Sequence, residues 1–166
     1  RKVAVFTGAA RLVEAGTLVV SKAGEADQTL HAPSIVLATG SVPVELPFLK
    51  FDGSTVVSST EALEFTAVPK DLVVVGAGAI GLELGSVWSR LGSQVTVVEI
   101  MNEILPGWDS QVAKTLRREL GKQGLSFKLG HKVTGVTPGK GHAQASVHVT
   151  DPKGKALDVK ADKVLV

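Results

Sequence analysis

The sequence predicts an α/β fold with a parallel sheet, and three observations carry the prediction. A buried-strand pattern, Asp71 to Val75, leads into Gly76-Ala77-Gly78-Ala79-Ile80-Gly81, after which a helical period begins. Apolar strand and amphipathic helix patterns then alternate as far as Leu129, the order that yields parallel strands joined by helical crossovers. Beyond Leu129 the period shortens to two and turn signals recur, as in an antiparallel meander.

Taken from the start, Val3 to Phe6, Arg11 to Glu14 and Thr17 to Ser21 read as short strands, with Ala15-Gly16 as a hairpin turn. Ser34 to Gly40 is continuously apolar until its small terminal residues and reads as a strand buried on both faces. From Ser41 to Ser54, Pro43, Pro47 and Asp52-Gly53 interrupt every period, so this stretch reads as a linker. Ser58-Ser59-Thr60-Glu61 offers N-caps for a short helix over Glu61 to Phe65, stopped by Pro69.

Asp71 to Val75 then forms a buried strand, and Ile80 to Leu91 a helix with Leu84, Val87, Trp88 and Leu91 on one face. Gln94 to Ile100 is a second strand. Asp109 or Ser110 caps a helix whose Val112, Leu116 and Leu120 form a stripe, with Gly124 marking its end. Leu125 to Leu129 is a third strand. Lys132 to Thr137, Ala143 to Thr150 and Ala156 to Ala161 make the meander, with a turn at Asp151-Pro152-Lys153-Gly154, and a returning strand begins near Asp162. The expected domains are 1–46, 47–69 as linker and short helix, and 70–166.

With 44% apolar and 20% charged residues, the 166-residue chain reads as soluble and globular. No run reaches the roughly 18 to 20 apolar residues of a membrane helix, and the first residues do not resemble a signal peptide, so the default compartment is cytoplasmic. Both ends look like cuts through strands. A net charge of +2, with Lys114, Arg117, Arg118 and Lys122 interleaved with acids on one helix, argues against nucleic-acid binding. There is no cysteine, hence no thiol nucleophile or cysteine-ligated metal. His31, His131, His142 and His148 lack metal-ligand spacing and read as surface histidines.

The G-x-G-x-x-G string is weak evidence by itself, but its setting is specific. It follows a strand, opens a helix, and is followed by an acid, Glu99, 21 residues beyond Gly78 at the end of the next strand. Gly76 permits the tight turn, Gly78 lets a diphosphate approach the backbone, and Gly81 lets helix and strand pack closely. The free N–H groups and the helix dipole favour an anion there. This is the signature of a Rossmann-type dinucleotide site. A carboxylate at Glu99 can accept from both ribose hydroxyls and repels a 2′-phosphate; no arginine occupies Ile100 to Leu105, so NAD is favoured over NADP. A methyltransferase-like site also uses an acid after its second strand and remains as an alternative, as does a glycine loop that binds nothing.

The string from Gly76 through Leu82-Glu83-Leu84-Gly85 to Arg90-Leu91-Gly92 resembles the NAD segment of the two-dinucleotide flavoproteins, the pyridine nucleotide-disulfide oxidoreductases, and within them the dihydrolipoyl dehydrogenases. Ala38-Thr39-Gly40-Ser41-x-Pro43, Val57-Ser58-Ser59-Thr60-x-Ala62-Leu63 and the stretch from Lys122-Gln123-Gly124 to Lys132-Val133-Thr134-Gly135 extend the likeness. The resemblance implies that Gly76, Ala77, Gly78, Ala79, Ile80, Gly81, Leu82 and Glu83 hold the NAD diphosphate and approach the nicotinamide, that Glu99 binds ribose, and that Val133 meets the adenine through its backbone. It implies FAD contacts at Ala10, Thr39, Gly40 and Ser41, the strands before residue 47 being the end of an FAD domain. From spacing alone, Glu83 reads equally as a first-turn acid favoured by the helix dipole.

The same resemblance implies a lipoyl substrate, a homodimer and membership of 2-oxo acid dehydrogenase complexes. Its reaction runs through a dithiol and a histidine–glutamate pair, none of which the residues supply, so no catalytic residue is expected within the chain and isolated turnover is not expected either. The competing reading is a non-catalytic NAD-binding module, and a sister NAD(P)-dependent flavoprotein disulfide reductase is a further alternative.

Overall fold

A computed structural model describes residues 3–141 and 143–166; His142, expected at the surface, lies outside the described residues. The chain divides into two compact units, one running to Val42 and the other from Pro43 to Val166.

The first unit is a three-stranded antiparallel sheet of β1 (Ala9–Glu14), β2 (Thr17–Ser21) and β3 (Gln28–His31), in the order β1-β2-β3. The expected hairpin at Ala15-Gly16 is present, Gly16 taking φ 77°. Two expectations fail here. Val3 to Phe6 is not a strand, the third strand being supplied instead by Gln28–His31, whose polar composition gave no apolar alternation to read. Ser34 to Gly40 is neither a strand nor buried: Val36 is 88% and Leu37 71% exposed. An apolar run becomes a central strand only where neighbours complete its hydrogen bonds.

In the second unit, β4 (Val56–Val57) is followed by α1 (Ser59–Leu63), β5 (Asp71–Val75), α2 (Ala79–Leu91), β6 (Gln94–Glu99), α3 (Ser110–Lys122) and β7 (Ser126–Leu129). The meander of β8 (Lys132–Thr137), β9 (Ala145–Thr150) and β10 (Ala156–Ala161) comes next, and the chain returns in β11 (Lys163–Leu165). The parallel sheet has the order β4-β11-β5-β6-β7. Helix α1 begins two residues earlier than Glu61 because Ser58 caps it: Ser58 Oγ accepts from Thr60 N–H, and Glu61 accepts from Ser58 N–H at 2.8 Å, closing a capping box.

Strand alternation divides the core into two layers. Leu72, Val74, Val95 and Val97 point to the helical side, where they meet Leu84, Trp88, Ala113 and Leu120. Val73, Val98 and Val164 point to the meander and meet Val133, Val147 and Val149. Residues from the expected linker contribute to both layers, through Leu49 on one side and Val57 and Ala62 on the other.

Both helical stripes are rotated from expectation. Val87 and Leu91 are 40% and 56% exposed while Leu82 and Gly85 are buried, and in α3 Ala113 rather than Val112 turns inward. Gly85 is on the buried face of α2, where a Cβ would make ordinary contact with Val95 at 3.4 Å and Val74 at 3.6 Å.

Candidate functional site

The parallel strands end together on one edge of the second unit. Strands β6 and β7 lie to one side of β5, β11 and β4 to the other, so the chain reverses direction of winding at β5. Ligands of open α/β sheets bind in the crevice at the carboxyl end of such a switch point. Gly76, the residue after β5, opens there.

The three glycines of the turn do three different things. Gly76 has φ 104° and its N–H donates to the Val98 carbonyl at 2.9 Å, so the turn leaves the sheet in a conformation that a Cβ disfavours. Gly78 is the N-cap of α2, is exposed, and a Cβ built on it meets nothing within 4 Å. Gly81 is the crowded one: a Cβ would come within 2.7 Å of the Gly76 carbonyl oxygen and 3.0 Å of Val74. The close packing expected at Gly81 is therefore chiefly against the turn itself.

Helix α2 begins at Ala79 with no side-chain cap and no acid in its first turn. Its end therefore presents positive potential that no acid of its own first turn offsets. Ala79 and Ile80 are exposed beside Gly78, while Ala77 and Leu82 are buried. Glu83 lies beyond the first turn, which removes the reading of it as a dipole-favoured first-turn acid. It is exposed and borders an apolar groove of about 480 Å³ with Ala79, Leu82, Leu105 and Trp108.

Glu99 ends β6 at 7% exposure. One carboxylate oxygen accepts from Ala77 N–H at 2.7 Å, the other from Met101 N–H at 2.8 Å. The acid thus ties the glycine turn to the loop after β6, a role that spacing could not reveal. A carboxylate has roughly four acceptor directions, so two remain for hydroxyl donors. The Glu99 carbonyl accepts from His131 N–H at 2.9 Å, which leads the chain from β7 into β8 beside the acid. Val133 lies two residues on, 5% exposed and paired with Val149 ahead of a β-bulge.

The structure adds residues that sequence reading passed over. Between Ile100 and Trp108, Ile104 and Leu105 are buried at 0% and 5%, and Leu105 N–H donates to the Ala77 carbonyl at 2.9 Å. The Leu-Pro-Gly string, with Trp108 N–H donating to the Leu105 carbonyl at 3.0 Å and Gly107 at φ 89°, has the composition of a type II turn and was the available signal.

Of the residues that the resemblance links to flavin, Ala10 lies on β1 opposite Val20, and Thr39, Gly40 and Ser41 lie in the irregular segment before Val42; all four are exposed.

Residues 1–166 match the family model described as pyridine nucleotide-disulphide oxidoreductase. The chain is 48% identical over 167 residues to dihydrolipoyl dehydrogenase 3 of Pseudomonas putida, covering 99% of this chain and 35% of that one. It is 42% identical over 166 residues to a mitochondrial dihydrolipoyl dehydrogenase of Dictyostelium discoideum, covering 99% and 34%. Among solved structures, LpdA from Mycobacterium tuberculosis superposes with TM-score 0.69 at 26% identity, covering 94% of this chain and 34% of that one. The HOCl-induced flavoprotein disulfide reductase RclA from Escherichia coli gives 0.68 at 27%, covering 95% and 34%. The chain spans about a third of the length of the curated relatives it matches.

Proposed function

The chain belongs to the pyridine nucleotide-disulphide oxidoreductase family, and from that premise we propose that its second unit is the NAD(H)-binding part of an FAD-dependent dihydrolipoyl dehydrogenase. The observation that carries the reading is the pairing of an open Gly78 at the head of α2 with a buried Glu99 carboxylate bonded to Ala77 of the same turn.

The residues fit a dinucleotide. The diphosphate lies against the backbone from Gly76 to Gly81, where no Cβ stands above Gly78 and no acid in the first turn of α2 competes. Glu99 takes the adenosine ribose hydroxyls with the acceptor directions left by Ala77 and Met101. It selects against a 2′-phosphate, because a second anion beside a carboxylate with fixed donors has nowhere to discharge. Val133 borders the adenine through its main chain, and Glu83 lies toward the nicotinamide. The bound nicotinamide supplies a carbon that accepts hydride from reduced flavin.

Ala10, Thr39, Gly40 and Ser41 belong to the flavin side of the same reading. The reading takes its lipoyl substrate from the relatives' name, its homodimer and attachment to 2-oxo acid dehydrogenase complexes from the resemblance alone, and a cytoplasmic compartment as the default of the sequence. Among the described residues no helix is long and apolar enough to cross a membrane. The chain has no cysteine, so the reading assigns the dithiol step to residues other than these 166.

Calorimetric titration with NADH and NADPH tests the reading. NADH should bind in preference, and Glu99→Gln should weaken it by about tenfold, the equivalent of one charged hydrogen bond. Glu99→Arg is the weaker control, since it strips the acceptors of both Ala77 and Met101 N–H, where Glu99→Gln strips one. Equal affinity for the two cofactors, or no NADH binding by folded protein, would remove the proposal.

A further inference from the structure

Leu105 is the one non-glycine residue with positive φ among the described residues, at 50°. It also precedes Pro106, and a residue before proline is driven toward extended backbone. Two local preferences are therefore violated at one position. Strain of this kind persists where the surroundings over-determine it, and such positions gather at ligand sites. The surroundings here are specific. The Leu105 side chain is buried in the helical-side core beside Ile104 and Leu82. Its N–H donates to the Ala77 carbonyl at 2.9 Å. The N–H of the same Ala77 donates to Glu99 at 2.7 Å, and its side chain is fully buried. Ala77 is thus held on both polar groups, one by the acid after β6 and one by Leu105.

We infer that Leu105 is a positioning residue of the nucleotide site: its left-handed backbone places an N–H on the Ala77 carbonyl, and this fixes the glycine turn before nucleotide arrives. The inference rests on the proposed NAD(H) reading and deepens it. Its physical content is preorganisation. A turn held at Ala77 presents the N–H groups at the head of α2 in one arrangement, so the nucleotide meets no ordering cost there. Leu105 itself touches neither diphosphate nor hydride. Its effect falls on affinity and KM for the nucleotide, with kcat unchanged.

The backbone requirement can be separated from the packing requirement in the full-length protein by two substitutions of opposite character. Leu105→Val keeps most of the buried side chain but resists positive φ, being β-branched. Leu105→Gly removes the buried side chain and accepts positive φ freely. The inference expects Leu105→Val to raise the NADH dissociation constant and the NAD KM about tenfold, the order of one left-handed residue's cost, at unchanged kcat. Leu105→Gly should lose more thermal stability yet bind NADH within about threefold of wild type.

Wild-type affinity in Leu105→Val, or affinities that fall in step with thermal stability in both variants, would overturn it and leave Leu105 as packing. Should either variant not fold, amide hydrogen exchange in the wild-type protein decides: slow exchange at Leu105 without nucleotide supports the clamp, and exchange at the rate of an open loop overturns it. A wild-type protein that does not bind NADH removes the cofactor reading itself, an outcome distinct from both.

Discussion

All six residues of β1 are solvent-exposed, whereas four of the six in β6 are buried. The contrast extends through the two units. In the unit that runs to Val42, Leu12, Val13, Val36 and Leu37 are each at least half exposed, and among its described residues Thr17 and Val20 are buried. In the unit from Pro43, the parallel sheet is covered on one face by helices and on the other by the meander, and both layers hold fully buried valines. Strand pairing alone supports the first; pairing plus burial on two faces supports the second. Burial is worth about 25 cal/mol per Å² of apolar surface, so the chain's stability resides in residues 43–166, together with the glycine turn.

Paired truncations should give the largest split between the units. Leu72→Ala, at 1% exposure in the second unit, is expected to cost about 2–5 kcal/mol, and Leu12→Ala, at 52% exposure in the first, less than about 0.5 kcal/mol. Denaturant unfolding of the two variants measures this directly; equal losses would break the comparison.

Within the second unit, the turn itself can be divided. Gly81→Ala should cost about 1–3 kcal/mol, because its Cβ meets the Gly76 carbonyl at 2.7 Å. Gly78→Ala should cost less than about 1 kcal/mol and, on the proposed NAD(H) reading, instead weaken NADH binding about tenfold, its Cβ filling the open space above the turn. Melting curves and titration on the same samples separate the effects, and a destabilised Gly78→Ala with intact affinity would reverse the assignment.

Trp88→Phe probes the contact between α1 and α2. The buried indole donates to the Ala62 carbonyl at 3.1 Å and its ring lies 5.1 Å from that of Phe65. Loss of about 1–2 kcal/mol is expected, most of it from the carbonyl left without its donor; a neutral substitution would show that α1 is held by its capping box instead.

The smallest effect concerns the segment leading into β4. Partial burial pushes the Asp52 carboxyl up, but backbone N–H groups of Ser54, Thr55 and Val56 outweigh it and hold the group below its ordinary value of 3.8. A depressed folded-state pKa contributes stability above the ordinary value that is lost as pH falls through the folded one. The difference in unfolding midpoint between wild type and Asp52→Asn should therefore be present at neutral pH and fade as pH falls below about 4. Asp52 is largely exposed, so solvent screening keeps the effect small. A difference that grew on acidification would contradict the assignment.

By itself the sequence determined the alternation from Asp71 to Leu129, the meander after it, the short stretches Ser58 to Glu61 and Asp109 to Ser110 within which the caps fall, and the identity of the turn glycines and Glu99. These are local matters: apolar period, cap chemistry and glycine spacing are written within a few residues of where they act. Tertiary structure alone decided that Val87, Leu91 and Val112 face solvent, since the small residues Gly85 in α2 and Ala113 in α3 take buried positions that an apolar stripe does not report. It decided that Ser34 to Gly40 is no strand, because apolar composition supplies no hydrogen-bond partner, and that Gln28–His31 is one, because β2 does. The bonds from Glu99 and Leu105 to the two sides of Ala77 were likewise out of reach: they join residues 22 and 28 positions apart in the chain, and only the folded sheet and its loop bring those groups within hydrogen-bonding distance.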